Sequence, residues 1–266
     1  MPFTDHTLEL VGCRTHYRRG GKGIPLIFLH GASGAPVVLP FMEKLAERFD
    51  VIVPDHPGYG QSDEPEWLEN IHDVGYFYLD FLAALELERA VVVGSSMGGW
   101  MAMEMAVRNT SRIGSLVLVS PAGIAAKGAE PADIFLLSPE DTIRRLFHDQ
   151  RFAEERLAMP MTPEAIDLAL KNRHTTARLA WEPRLHDPHL AKWLHRIDVP
   201  VAIVWGKDDQ ILPVGIAHEL KRLLPDCGRA FRGARGGHRC SFRIGAENRA
   251  RSRPVCVTGR LAGQGR

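Results

Sequence analysis

The stretch Val91-Val92-Val93-Gly94-Ser95-Ser96-Met97-Gly98-Gly99-Trp100 restricts the possible folds of this chain more than any other. Three successive β-branched residues specify a short buried strand. After it, Met101, Ala102, Met105 and Ala106 recur at helical spacing. Between the two, Gly94-x-Ser96-x-Gly98 must turn the chain from strand to helix in one tight step. The glycines let the two elements approach closely and allow strained dihedrals at the serine. Such a turn lifts the Ser96 hydroxyl clear of the backbone and sets the free N–H groups of a helix N-terminus beneath it. A frame centred on Ser95 fails, because it puts Val93 and Met97 where glycines are required.

The rest of the first half repeats the same plan. Thr7–Val11 and Arg14–Arg18 read as a strand pair turning at Gly12-Cys13. Pro25–Leu29, Val51–Val53 and Leu116–Val119 are continuous apolar runs, as expected of strands covered on both faces. Pro36–Arg48 and Asp73–Leu87 read as the helices between them, the second with Val74, Phe77, Phe81, Leu82 and Leu85 on one face. The alternation predicts an α/β fold, a mainly parallel central sheet with helices on both faces. Ligands of such sheets sit beyond the carboxyl ends of the strands, where His30, Asp55, Ser96 and Ser120 all fall.

The alternation stops after Gly123. From Ile124 to Arg196 there is no β-branched run, while Ser138-Pro139-Glu140-Asp141 and Thr162-Pro163-Glu164 are helix starts. The expected organisation is a core of residues 1–123 and 197–238, a helical cap insertion of residues 124–196, and an atypical tail of residues 239–266. The insertion carries Phe135, Leu136, Leu137, Phe147, Phe152, Met159, Met161, Trp181 and Trp193. Taken singly, each reads as core before it reads as pocket lining. The sheet resumes at Val199–Trp205, ends in Gly206-Lys207-Asp208-Asp209, and is followed by a helix from Pro213 to Leu224.

Composition narrows the functional classes. The formal net charge is +1 over 266 residues, which gives no reason to expect nucleic acid or an anionic membrane as partner. Residues 1–12 lack the basic and apolar regions of a signal peptide, and no apolar run reaches bilayer length. Cys13, Cys227, Cys240 and Cys256 show no paired spacing, so a reduced, cytoplasmic setting is expected. Neither H-E-x-x-H nor any other metal motif is present, His186-Asp187-Pro188-His189 reads as a polar loop, and no cofactor or metal is expected.

His30-Gly31, Asp55-x-x-Gly58-x-Gly60-x-Ser62, Gly94-x-Ser96-x-Gly98-Gly99, Gly206-x-x-Asp209-x-x-x-Pro213 and Gly237-His238 follow one another along residues 7–238. In that order they resemble the α/β-hydrolase superfamily, in its capped esterase and carbon–carbon hydrolase branch. The resemblance implies Ser96 as nucleophile, His238 as general base and Asp209 as the acid that orients it. Asp208 is the alternative acid, but neighbouring side chains in a strand-exit loop point apart, so both cannot face the histidine. By the same analogy, the backbone N–H groups of Met97 and Ala32 form the oxyanion hole, with Ser33 the alternative to Ala32. His30, Ser33 and Ser95 are candidates to contact substrate. His30 reads as holding its loop more than as a second base, and Asp55, Gly58 and Ser62 as fixing a turn. A serine at the elbow argues against the haloalkane dehalogenases and epoxide hydrolases, which resemble this fold but use aspartate there.

The final stretch departs from the pattern. From Phe231 onward arginine replaces lysine entirely, Glu247 is the sole acid, and no helical apolar stripe appears. The tail reads as a disordered basic segment or the translation of a shifted frame. The expected activity is serine-dependent hydrolysis of small to medium carboxylic esters. The alternatives are a carbon–carbon hydrolase acting on a vinylogous diketone, and a hydrolase-shaped protein impaired at its C-terminus. The partner in either activity is a small molecule. Arg144, Arg145, Arg173, Arg178 and Arg184 are the candidates in the insertion to hold a substrate carboxylate.

Overall fold

A computed structural model describes residues 2–225 and the backbone of residues 231–232. Its strands are β1 (Thr4–Leu10), β2 (Cys13–Gly21), β3 (Ile24–Leu29), β4 (Phe49–Pro54), β5 (Ala90–Ser95), β6 (Ile113–Val119), β7 (Val201–Trp205) and β8 (Phe231–Arg232). They form one sheet in the order β1-β2-β4-β3-β5-β6-β7-β8. Pairing is antiparallel from β1 through β2 to β4, and parallel from β4 to the far edge. The helices are α1 (Pro40–Ala46), α2 (Ile71–Ala84), α3 (Met97–Arg108), α4 (Pro139–Leu146), α5 (Gln150–Leu157), α6 (Pro163–Ala180) and α7 (Gly215–Leu223), with a 3-10 segment at Leu190–Arg196. His238 and the tail lie outside the described residues.

The sheet is covered on both faces, as its uninterrupted apolar strands require. Ile27, Leu29, Ile52 and Val92 point to the side packed by α2 and α3. Leu26, Phe28, Val51 and Val53 point to the opposite side, where Met42 and Ala46 of α1 meet them. The period-2 geometry of a strand divides each run between the two cores.

Several boundaries differ from the sequence expectation for local reasons. The first helix begins at Pro40 rather than Pro36, because the ring of Pro40 keeps Leu39 extended at φ −94° and ψ 152°. The second begins two residues early. Asn70 caps it by accepting the His72 and Asp73 N–H groups, while the Asp73 carboxylate accepts the Asn70 N–H. Ser138 and Thr162 accept the Asp141 and Ala165 N–H groups and start α4 and α6. At the far edge, Phe231 and Arg232 pair with Val204 and Trp205, although the sequence there has no strand signature.

The apolar side chains of the insertion overturn a larger expectation. Leu136, Met159, Met161, Trp181 and Trp193 are between 42% and 76% exposed, so reading each as core was wrong. Two of its helices are short and polar: α4 buries no residue and α5 buries only Ala153, and the buried face of the longer α6 is largely Asn172, Thr175 and Thr176. These faces offer little apolar surface to cover so many large side chains.

One buried ionic group braces the core helices. Glu104 of α3 is 1% exposed and accepts hydrogen bonds from Trp100 Nε1 at 3.0 Å and from Arg108 Nη1. Burial pushes its carboxyl pKa up, but bonds from His72 and Arg108 outweigh this and leave it below the usual value. Glu104→Ala should therefore cost about 2–4 kcal/mol in urea unfolding, since it strands the Arg108 charge and the indole N–H. A loss under about 0.5 kcal/mol would show that the pair adds nothing.

Candidate active site

Ser96 stands between β5 and α3 at φ 54° and ψ −118°, a backbone region that side-chain-bearing residues rarely adopt. Its neighbours show why glycines surround it. A Cβ on Gly94 would lie 2.6 Å from Gly99 Cα, and one on Gly99 would lie 2.6 Å from Pro121 Cβ. A Cβ on Gly98 would lie 2.5 Å from the His30 carbonyl oxygen and closer still to that of Leu29. The turn is held by Ser96 N–H donating to Val119 O at 3.0 Å, and by Ala122 N–H donating to Ser96 O at 3.0 Å. The Ser96 side chain makes no cap hydrogen bond to α3, so its hydroxyl is not consumed by the helix it precedes.

Gly31 lies directly across from the serine: a Cβ there would be 3.1 Å from Ser96 Cβ and 3.7 Å from Ser96 Oγ. Gly31–Gly34 is a tight turn closed by Gly34 N–H donating to Gly31 O at 3.0 Å. Ala32 and Ser33 are its central residues. Among the described residues, the N–H groups of Ala32, Ser33 and Met97 have no hydrogen-bond acceptor. Three backbone donors are thus unspent in the segments that flank Ser96. Ser33 is exposed, whereas Ser95 is buried at the end of β5 opposite Val119.

His30 is engaged with the backbone of the strand exits. Its Nδ1 donates to Gly31 O at 2.8 Å and its Nε2 accepts from His56 N–H at 3.3 Å. With both nitrogens committed to backbone, His30 anchors its loop. His56 stacks on it with ring centroids 3.6 Å apart, donates Nε2–H to His30 O at 2.9 Å, and bonds the Tyr78 hydroxyl through Nδ1. Burial lowers the His30 pKa. For His56, burial and the neighbouring His30 push the pKa well below the ordinary value of 6.5. In the unfolded chain both rings protonate near pH 6.5, while in the folded protein they stay neutral to lower pH. Their contribution to stability is therefore complete above that pH and is lost as pH falls toward the folded values. Urea unfolding should show a loss of about 1–2 kcal/mol between pH 6.5 and 5.5, and a flat profile would contradict it.

The two candidate acids diverge after β7. Asp209 is 7% exposed, and its Oδ1 accepts the N–H groups of Ile211 and Leu212, each at 2.9 Å. Trp205 Nε1 donates to Leu212 O at 2.8 Å and closes the same loop. Asp208 turns outward to His148, whose Nδ1 is 3.4 Å from its Oδ2. Asp55 holds its turn by accepting Gln61 N–H at 2.9 Å, and Ser62 Oγ donates to Asp55 O at 2.7 Å.

A cavity of about 360 Å³ lies at the base of the insertion, between residues 125–135 and Arg184–His186. Ser96 is not in its wall, but Ala132 N–H donates to Ile211 O at 2.8 Å and ties that wall to the Asp209 loop. His72, Glu104 and Asp187 bring one ligand atom each within 4.8 Å of one another. Arg108 already donates to Glu104 and lies beside His72, so the cluster has its cation and we assign no metal there. No helix among the described residues is long and apolar enough to cross a membrane.

The α/β hydrolase fold family matches residues 24–150. A 2-hydroxymuconate semialdehyde hydrolase from Pseudomonas sp. strain CF600 is 29% identical over 237 residues, covering 80% of each chain. A 2-hydroxy-6-oxo-6-phenylhexa-2,4-dienoate hydrolase from Comamonas testosteroni is also 29% identical, over 77% of this chain and 78% of its own. Among solved structures, a putative lipase from Acinetobacter baumannii AYE superimposes with a TM-score of 0.70 at 25% identity, over 89% of this chain and 85% of that one.

Proposed function

This chain belongs to the α/β-hydrolase superfamily, and from that membership we propose that it is a serine hydrolase of small to medium carboxylic esters with Ser96 as nucleophile. The observation that carries the proposal is the strained, uncapped Ser96 flanked by segments whose backbone N–H groups have no acceptor among the described residues. Ser96 Oγ attacks the ester carbonyl carbon while its proton passes to the imidazole of His238. The carbonyl oxygen becomes an oxyanion held by the N–H groups of Met97 and of Ala32 or Ser33; one such donor is worth about 10²–10³ in rate. Collapse breaks the carbon–oxygen bond, and the leaving alcohol takes the proton from the imidazolium. Water then gives a proton to the imidazole and attacks the acyl carbon, which releases the carboxylic acid and restores the serine. Asp209 stays ionised throughout, orienting the imidazole and stabilising its cation.

A fluorophosphonate probe and p-nitrophenyl acetate test this directly. Labelling of Ser96 together with ester turnover is the expected result. Folded protein that is neither labelled nor active would favour the impaired hydrolase instead.

A second reading, hydrolysis of a carbon–carbon bond in a vinylogous diketone acid, is favoured by the activities for which the two bacterial relatives are named. Substrates of that kind carry a carboxylate, and the insertion's arginines are largely occupied. Arg144 is paired with Glu140 and Glu154, and Arg178 with Glu64. Arg184 pairs with Asp133 and stacks 4.3 Å over Trp181, while Arg173 donates to Phe135 O at 3.1 Å. Arg145, the fifth candidate, is exposed and has no ion pair among the described residues. The occupancy of the other four therefore supports the ester reading only if Arg145 does not hold the carboxylate. Faster turnover of a 2-hydroxy-6-oxohexadienoate than of p-nitrophenyl acetate would reverse the order.

A further inference from the structure

We propose that Asn172, on the insertion helix α6, is a positioning residue for the oxyanion site: its carboxamide pins the turn Gly31–Gly34, so the seating of the insertion sets where the Ala32 and Ser33 N–H groups point. The inference rests on the Ser96 reading above and adds a residue from a different part of the chain to it.

A trans peptide holds its C=O and N–H in opposite directions, so fixing a carbonyl fixes the neighbouring amide. In the turn, the Gly31 carbonyl accepts from His30 Nδ1 at 2.8 Å and from Gly34 N–H at 3.0 Å. That anchors one end to the core. The other end is the Ser33 carbonyl, which accepts Asn172 Nδ2–H at 3.1 Å. It shares its peptide with the Gly34 N–H, so this bond fixes the exit of the turn and its closing Gly34–Gly31 contact. The Ala32 and Ser33 N–H groups lie between the two fixed carbonyls. The same side chain accepts Gly60 N–H through Oδ1 at 3.1 Å, so its amide is held at both ends. Asn172 is only 3% exposed. Gly34 sits at φ +77°, and a Cβ there would be 2.6 Å from Asn172 Nδ2, so the turn is shaped around this contact. Without Asn172 the exit of the turn loses its tie, and only the anchor at Gly31 and the longer 3.3 Å contact of Thr176 Oγ1 with Ala32 O remain.

Neighbours on the same helix face make α6 a fixed reference. Lys171 Nζ donates to Gly60 O at 2.9 Å and to Ser62 O at 2.7 Å. Thr175 Oγ1 donates to Gly58 O at 2.7 Å. Thr176 Oγ1 lies 2.8 Å from the Tyr59 hydroxyl, and Tyr59 in turn approaches Met97 Sδ at 3.9 Å. The polar stripe at positions 171, 172, 175 and 176 thus faces the loops around Ser96 rather than solvent.

Two variants test the tie. Asn172→Ala removes both bonds. Asn172→Asp keeps an acceptor for Gly60 N–H but sets a carboxylate against the Ser33 carbonyl. Each should lower kcat for p-nitrophenyl acetate about 10- to 100-fold with KM within threefold, because misplacing donors by about 1 Å costs on that order. Affinity for an alkylboronic acid, which forms a tetrahedral adduct on the serine, should fall by the same factor as kcat/KM. Amide hydrogen exchange at Gly34, whose N–H closes the turn, should speed at least tenfold, with α3 unchanged. Unaltered exchange in Asn172→Asp overturns the proposal whatever the activity. So does a loss of activity that matches only the loss of folded protein. If the wild-type chain neither turns over ester nor labels at Ser96, the Ser96 reading fails, while the exchange measurement still decides the tie.

Discussion

Ser96→Ala should lower ester turnover by at least ~10⁴-fold, with the urea midpoint close to wild type. The two halves of that expectation have separate causes. Removing Oγ removes the atom that forms the acyl intermediate, and water held by the remaining donors is a poor substitute. Stability is spared because the hydroxyl caps no helix and alanine retains the same Cβ in the same strained backbone. A midpoint change within about 0.5 kcal/mol is typical of such a site. Steady-state kinetics on purified variant, with unfolding measured in parallel, gives both numbers. Turnover near the wild-type rate would remove Ser96 from the chemistry.

Gly98→Ala should destabilise the fold by about 3 kcal/mol or more, a large share of a stability of about 5–15 kcal/mol. The new methyl would meet the carbonyl oxygens of Leu29 and His30, which are backbone atoms of β3 and its exit. No rotamer change relieves that contact. Helix α3 must move off β3, taking with it the Met97 N–H and the Ser96 elbow. Activity should therefore fall with stability, in contrast to Ser96→Ala, where the two separate. Far-UV circular dichroism with urea titration reads the stability, and a wild-type midpoint would mean that the close approach of α3 to β3 is not required.

Most of the fold was legible because its strands announce themselves. Continuous runs such as Pro25–Leu29 and Val51–Val53 can only be strands buried on both sides, and the Gly94-x-Ser96-x-Gly98 turn fixes how one of them meets its helix. The short pairing of Phe231 with Val204 was not legible, since two residues carry no pattern and the register comes from β7. The insertion misled for the opposite reason. Trp181 and Trp193 look like core in a sequence, but Trp181 closes the C-terminal end of α6 and Trp193 lies in the 3-10 segment, and burial depends on whether another element covers such a place. Within the site, the choice of Asp209 over Asp208 rested on the resemblance, and the structure shows the two side chains parting toward Ile211 and His148.

The sequence by itself determined the strand–serine–helix elbow, the two-sided parallel sheet and the order in which the candidate groups occur, because each follows from residue type and spacing within a few positions. Only the tertiary structure decided which backbone groups His30 bonds, that His56 stacks on it, and that Asn172 reaches across from residue 172 to Ser33 and Gly60. Those contacts join residues from separate segments. Their partners are chosen by how the sheet and the insertion pack, and no local pattern in the chain encodes that meeting.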